Sequence, residues 1–116
     1  MKFLEVSSIS KEYIDIDDAL SRIGGNMSLY KKLLGRFVEG NHFEELERII
    51  QSGDMEEAAR QVHSIKGVSA NLSLVKIRAL SIELEQLIKG NADYSSCLGE
   101  LKQAFSMTMD EINELQ

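Results

Sequence analysis

Gly53-Asp54-Met55-Glu56-Glu57-Ala58-Ala59-Arg60-Gln61-Val62-His63-Ser64-Ile65-Lys66-Gly67-Val68-Ser69-Ala70-Asn71-Leu72 is the stretch on which the fold turns. Met55, Ala58, Ala59, Val62, Ile65, Ser69 and Leu72 recur at the spacing of one face of an α-helix. Asp54 with Glu57 three residues on resembles a capping box, Asp standing in for Ser or Thr, so a helix is expected from about 54 to 71. Gly53 suits the left-handed position just past a preceding helix. The apolar row is a stripe rather than a full circumference, so this helix needs neighbours to bury it.

The flanking sequence supplies them. Upstream, Asn26 can cap a long helix reaching about Ser52, whose apolar residues Met27, Tyr30, Leu33, Leu34, Phe37, Val38, Leu46, Ile49 and Ile50 keep helical spacing. Gly40-Asn41 is its weak point, where it bends or splits. Earlier still, Asp15 or Asp17 can cap a short helix stopped by Gly24-Gly25. Residues 1–14, with Val6, Ile9, Tyr13 and Ile14, read as an extended lead-in or a frayed helix. Downstream, a connection at 71–73 leads to a helix over about 74–89 with Ile77, Leu80, Leu84, Leu87 and Ile88. Gly90-Asn91 ends it, and a last helix over about 94–115 presents Leu98, Leu101, Phe105, Ile112 and Leu115. Connections this short favour antiparallel neighbours. The expected fold is all-α: an antiparallel up-and-down four-helix bundle with a short extra N-terminal helix, in a single domain over 15–116 after the 1–14 lead-in.

Composition narrows the function. The chain has 116 residues, 43% hydrophobic and 28% charged, enough for one core without staples. No proline interrupts any helix. A net charge of −6, with acids spread along the chain, argues against nucleic acid and anionic membrane as partners. The single Cys97 excludes an internal disulfide and a cysteine-based zinc site, and reads as a core or boundary residue. No apolar run approaches the length of a membrane span, and charge interrupts the start too early for a secretory signal. A soluble cytoplasmic protein is expected, and Met1 with the early start of structure favours a free-standing one.

The chemistry concentrates at His63. Lys66 lies three residues on and Gly67 four, so all three share a face beside the Val62/Ile65 row. Nine residues beyond Asp54, His63 stands roughly 13 Å along the helix, near mid-bundle. An unshifted imidazole is mostly neutral at pH 7, hence a competent nucleophile toward phosphorus. A lysine one turn away offsets phosphoryl charge in a loose transition state. Gly67 costs the helix roughly 1 kcal/mol relative to alanine, and it clears the face above His63 for a partner. Singly, these residues read as a solvated histidine, a surface charge and a packing glycine. Their coincidence on one face argues otherwise.

His63-Ser64-Ile65-Lys66-Gly67 resembles the core pattern of the histidine phosphotransfer family: His, two residues, Lys, Gly. Gly24-Gly25-Asn26 and Ser52-Gly53-Asp54 fall where members of that family turn, and Ala79, Leu84 and Glu85 look similar too. The resemblance covers about residues 15–115. It implies a phosphocarrier without kinase activity of its own, with His63 as phosphoacceptor and Lys66 as charge support. It implies docking of response-regulator receiver domains, with a hybrid sensor kinase as a further partner, over a face made by Ala59, Ser64, Gly67 and Ala70. The metal needed for the exchange belongs to the receiver, so no cofactor or metal is expected on this chain, which is expected to be a monomer. Ser69 either orients the site or closes the helix end, the second reading being favoured. Val68 stands where a small residue is common and Ser73 where glycine is common, both off the reactive row.

Three other readings compete. A sensor-kinase phosphoacceptor domain resembles a pattern with an acid directly after the histidine and a proline soon after, but Ser64 follows His63 and there is no proline. It would also need a nucleotide-binding domain, for which no room remains. A carboxylate-bridged metal bundle needs two Glu-x-x-His pairs, and only Glu39-Gly40-Asn41-His42 fits. His42 therefore reads as an exposed or boundary residue. A helical interaction module or scaffold without phosphorylation shares the fold, and His63, Lys66 and Gly67 together speak against it.

Overall fold

A computed structural model describes residues 11–116; the sequence reading of residues 1–10 lies outside them. Among the described residues six helices follow in order: α1 (Ile16–Arg22), α2 (Met27–Glu39), α3 (His42–Ser52), α4 (Met55–Asn71), α5 (Val75–Lys89) and α6 (Ser95–Leu115). Three of the starts, those of α1, α2 and α4, have a side-chain cap. Asp15 accepts from the Asp18 amide, Asn26 from the Leu29 amide and Asp54 from the Glu57 amide, satisfying donors that have no partner within the helix. The expected capping box at α4 is only half present, because the Glu57 carboxylate turns outward to Arg60 instead of back to the cap. Gly24, Gly25 and Gly53 all have positive φ, at 71°, 79° and 84°, the left-handed turn that a residue with a Cβ adopts only at a cost.

The long helix expected from Asn26 to Ser52 is two helices. Gly40 closes α2, and Asn41 takes a left-handed φ of 51° before α3 begins. Space rather than φ favours the glycine. The His42 ring folds back over it, and a Cβ on residue 40 would lie 2.6 Å from Nε2. The same ring stacks on Phe37 at 4.8 Å. His42 is thus a half-buried boundary residue, and burial pushes its pKa below the ordinary value.

Taken as one broken arm, α2–α3 packs beside α4 and α6, α4 beside α5, and α5 beside α6. That circuit is the expected up-and-down four-helix bundle, with α1 as the extra helix against α2. The extents of 47 × 22 × 21 Å describe a rod two helix diameters across. Leu34, Leu46, Val62, Ile65, Ile77, Leu84, Leu101 and Ile112 are fully buried along its axis, and Phe105 packs between Phe37 and Phe43. Met55 and Ala59, expected in the inward row of α4, are only partly buried at its edge. Cys97 is in the core, its Sγ 3.6 Å from the Leu80 carbonyl oxygen, and burial pushes the thiol up to about 11. That thiol is inert at neutral pH.

The α4–α5 corner is tied down from several sides. Ser73 has a φ of 56°, which explains why glycine suits this position. Its hydroxyl donates to Asp18 at 2.6 Å, and the Tyr30 hydroxyl donates to the Leu72 carbonyl at 2.6 Å. Two backbone bonds, from the Asp15 amide to Ser73 and from the Val75 amide to Tyr13, join the corner to the segment before α1. Ser69 is buried, and its hydroxyl donates back within α4 to the Lys66 carbonyl, while the helix end is closed by the amides of Leu72, Ser73 and Leu74.

Candidate functional site

His63 stands on the open flank of α4, its side chain 67% exposed, facing α5 across the seam. The α5 stripe of Leu84 and Ile88 would ordinarily carry another apolar residue in the turn between them, but Glu85 stands there with only 8% of its side chain exposed. Burying a carboxylate is costly unless it is paired, and Glu85 is paired three times. Lys66 donates to its Oε1 at 2.9 Å. His63 Nδ1 lies 3.1 Å from Oε2, and Lys89 Nζ 3.0 Å from the same oxygen. The hydrogen bond from Lys66 is the main reason Glu85 is held down at about 2, against burial, with Lys89 and His63 adding to it.

The ionisation of Glu85 fixes the chemistry of the imidazole. An ionised carboxylate only accepts hydrogen bonds, so Nδ1 must carry the proton. In the neutral ring the free lone pair is then on Nε2. The site is therefore an exposed nitrogen nucleophile, held in one tautomer by a buried anion, with an ammonium group one helical turn away.

Residues 33–115 match the Hpt domain family, and these include the histidine, the lysine and the carboxylate. The chain belongs to the Hpt, or histidine phosphotransfer, domain family. No curated protein and no solved structure matches it. Hpt domains are phosphocarrier modules of two-component signalling that interact with receiver domains and sensor kinases.

The other expected positions of this Hpt domain fall as follows. Gly67 is exposed, and a Cβ built there meets nothing within 4 Å. Helix packing therefore does not explain the glycine. Ala59, Gly67 and Ala70, at four before, four after and seven after His63, continue its strip along α4, while Ser64 is exposed about 100° round the helix. A shallow groove of about 600 Å³ opens beside His63 between α4 and α5, floored by Met55, Ala59 and Ile88 and edged by Arg60 and Lys89. Among the described residues no group of three or more His, Cys, Asp and Glu side chains is gathered to hold a metal, and no helix is long and apolar enough to cross a membrane.

Glu85 and Lys89 are the residues that reading the sequence for chemistry missed. In the sequence Glu85 stands out only as one of several family-like positions. A signal was present, since an acid stands on the apolar flank of α5 one turn before Ile88 with Lys89 four residues on, but its other two partners, Lys66 and His63, lie 19 and 22 residues away on another helix.

The buried carboxylate makes stability pH-dependent. Its folded pKa of about 2 lies below the ordinary 4.5, so its contribution is complete above about pH 5 and is lost as pH falls toward 2. Urea unfolding of the native chain should therefore lose about 3 kcal/mol across that window beyond whatever Glu85→Gln loses. Parallel pH profiles for the two chains would mean that Glu85 is not held ionised by its partners.

Proposed function

We propose that this chain carries a phosphoryl group on Nε2 of His63 and exchanges it with the phosphorylatable aspartate of a response-regulator receiver domain. The observation that carries the reading is the Glu85 carboxylate on Nδ1, which leaves Nε2 as the attacking atom on an exposed flank. In the forward step the Nε2 lone pair attacks phosphorus. The bond from phosphorus to the aspartyl oxygen breaks, and the carboxylate leaves with that electron pair. The proton on Nδ1 stays in place, and Glu85 offsets the positive charge that the ring acquires. Lys66, one helical turn on and bonded to the same carboxylate, supplies the cation that offsets charge on the phosphoryl oxygens. On this reading the divalent metal of the exchange is the receiver's. Ala59, Gly67 and Ala70 form the low strip that lets the receiver approach, with Ser64 at its edge.

The test is to mix the native chain with a receiver carrying labelled aspartyl phosphate and follow the label. The expected product is a phosphorylated chain whose label is lost in acid and retained in base, as a phosphoramidate is. No uptake from any receiver would leave the fold serving only as an interaction module.

Lys66→Ala should slow transfer by on the order of 10²-fold, the usual effect of losing one charge-stabilising donor. Circular dichroism should show the bundle intact, because Lys89 and His63 still satisfy Glu85. An unfolded Lys66→Ala chain would assign the lysine to stability instead.

A further inference from the structure

Lys89 lies outside the His-x-x-Lys-Gly segment, in the last turn of α5, one turn beyond Glu85. It shares Oε2 of Glu85 with His63 Nδ1, so the two nitrogens are no more than about 6 Å apart. That sharing bears on the state of the imidazole. A carboxylate alone on Nδ1 favours the charged ring. The charged ring has no free lone pair and cannot attack phosphorus.

The charged groups around His63 set the balance. From α4 come Lys66, Glu56 and Arg60, and from α5 come Glu85 and Lys89. Arg60 is taken up by the Glu57 carboxylate through two donors. With Lys66 alone, Glu85 would make a neutral pair and remain free to attract a proton onto the ring. With Lys89 as well, the cluster on that carboxylate carries a charge of +1 before the ring protonates, and one lone pair of Oε2 is occupied.

We propose that Lys89 is a positioning residue for His63: by sharing Oε2 of Glu85 it weakens the carboxylate's hold on an added ring proton and keeps the imidazole neutral, the form that attacks phosphorus. The inference rests on the reading of His63 as the phosphoryl acceptor. A lysine that only complemented the helix C-terminus, away from the ring, would leave the His63 titration unmoved; Lys89 is on the same carboxylate oxygen as Nδ1.

The experiment is an NMR titration of the His63 ring in the native chain and in Lys89→Gln, Lys89→Arg and Glu85→Gln. Lys89→Gln should bind the ring proton roughly threefold more tightly, the effect of removing one charge at this separation in a water-like medium. Glu85→Gln should shift the titration the other way, and Lys89→Arg should restore the native curve. The acid limb of the phosphotransfer pH profile should move with the NMR midpoint in each chain. A titration unmoved by Lys89→Gln, or moved equally by Lys89→Arg, overturns the proposal. The titration needs no receiver, so the two readings fail separately. A native chain that takes up no label removes the acceptor role, whereas a chain that does so with an unmoved titration removes only the role of Lys89.

Discussion

A chain carrying His63→Gln should lose phosphoryl uptake from a receiver by more than about 10³-fold, the scale on which removal of a nucleophile is felt. Glutamine keeps much of the shape of the side chain and can still donate its amide to Glu85. The carboxylate therefore stays satisfied, and Lys66 and Lys89 remain in place. What disappears is the lone pair on Nε2. No neighbour substitutes for it: His42 is on α3, half-buried against Phe37, and the Cys97 thiol is in the core. Equilibrium unfolding of the variant should match that of the native chain to within about 1 kcal/mol, as for most surface substitutions. Label on the variant at the native rate would place the acceptor elsewhere.

Gly67→Leu should move stability and activity in opposite directions. The glycine is in mid-helix with open space where its Cβ would be, so leucine fits without displacing anything. The helix should gain up to about 1 kcal/mol, since glycine is the poorer helix former by about that much. The added side chain would stand one turn above His63 on the same strip, filling the approach that the partner needs. Transfer from a receiver should fall more than about tenfold, an ordinary result for an obstruction at the centre of an interface. Gly67→Ala should gain similar stability and lose far less transfer, which separates bulk from helix propensity. Unchanged transfer in the leucine variant would mean that the partner does not cross this strip.

The arms of the bundle were legible because each is written locally. Asn26 and Asp54 are caps whose partners lie three residues on, and the apolar stripes repeat within a single helix. The break at Gly40-Asn41 was legible as a weak point only. The split comes with a left-handed Asn41 and with the His42 ring folded over residue 40 onto Phe37, a contact that spacing does not encode. His63, Lys66 and Gly67 stood out because they share one helical face. The carboxylate that orders them did not, because Glu85 arrives from the next helix through tertiary packing. On its own helix it reads as one acid among the 19 of the chain. Ser73 illustrates the same limit: its departure from glycine is accommodated by a hydroxyl bond to Asp18, 55 residues away.

The joint between α2 and α3 has a consequence for how this arm tolerates insertions and deletions. In an unbroken helix, one inserted residue rotates everything beyond it by about 100°, turning the apolar stripe of the distal half toward solvent. Here Gly40 and Asn41 interrupt the hydrogen-bonded ladder, and each half is started by its own residues. Tyr30, Leu34 and Phe37 set the phase of the first half; Phe43, Leu46 and Ile49 set that of the second. A length change at the joint is therefore absorbed in the loop, while the same change three residues earlier unseats Phe37 from Phe105. The arm is thus set in phase by two separate apolar rows, joined across the break by the His42 ring on Phe37, and the α3 face that packs on the His63 helix α4 takes its phase from its own row.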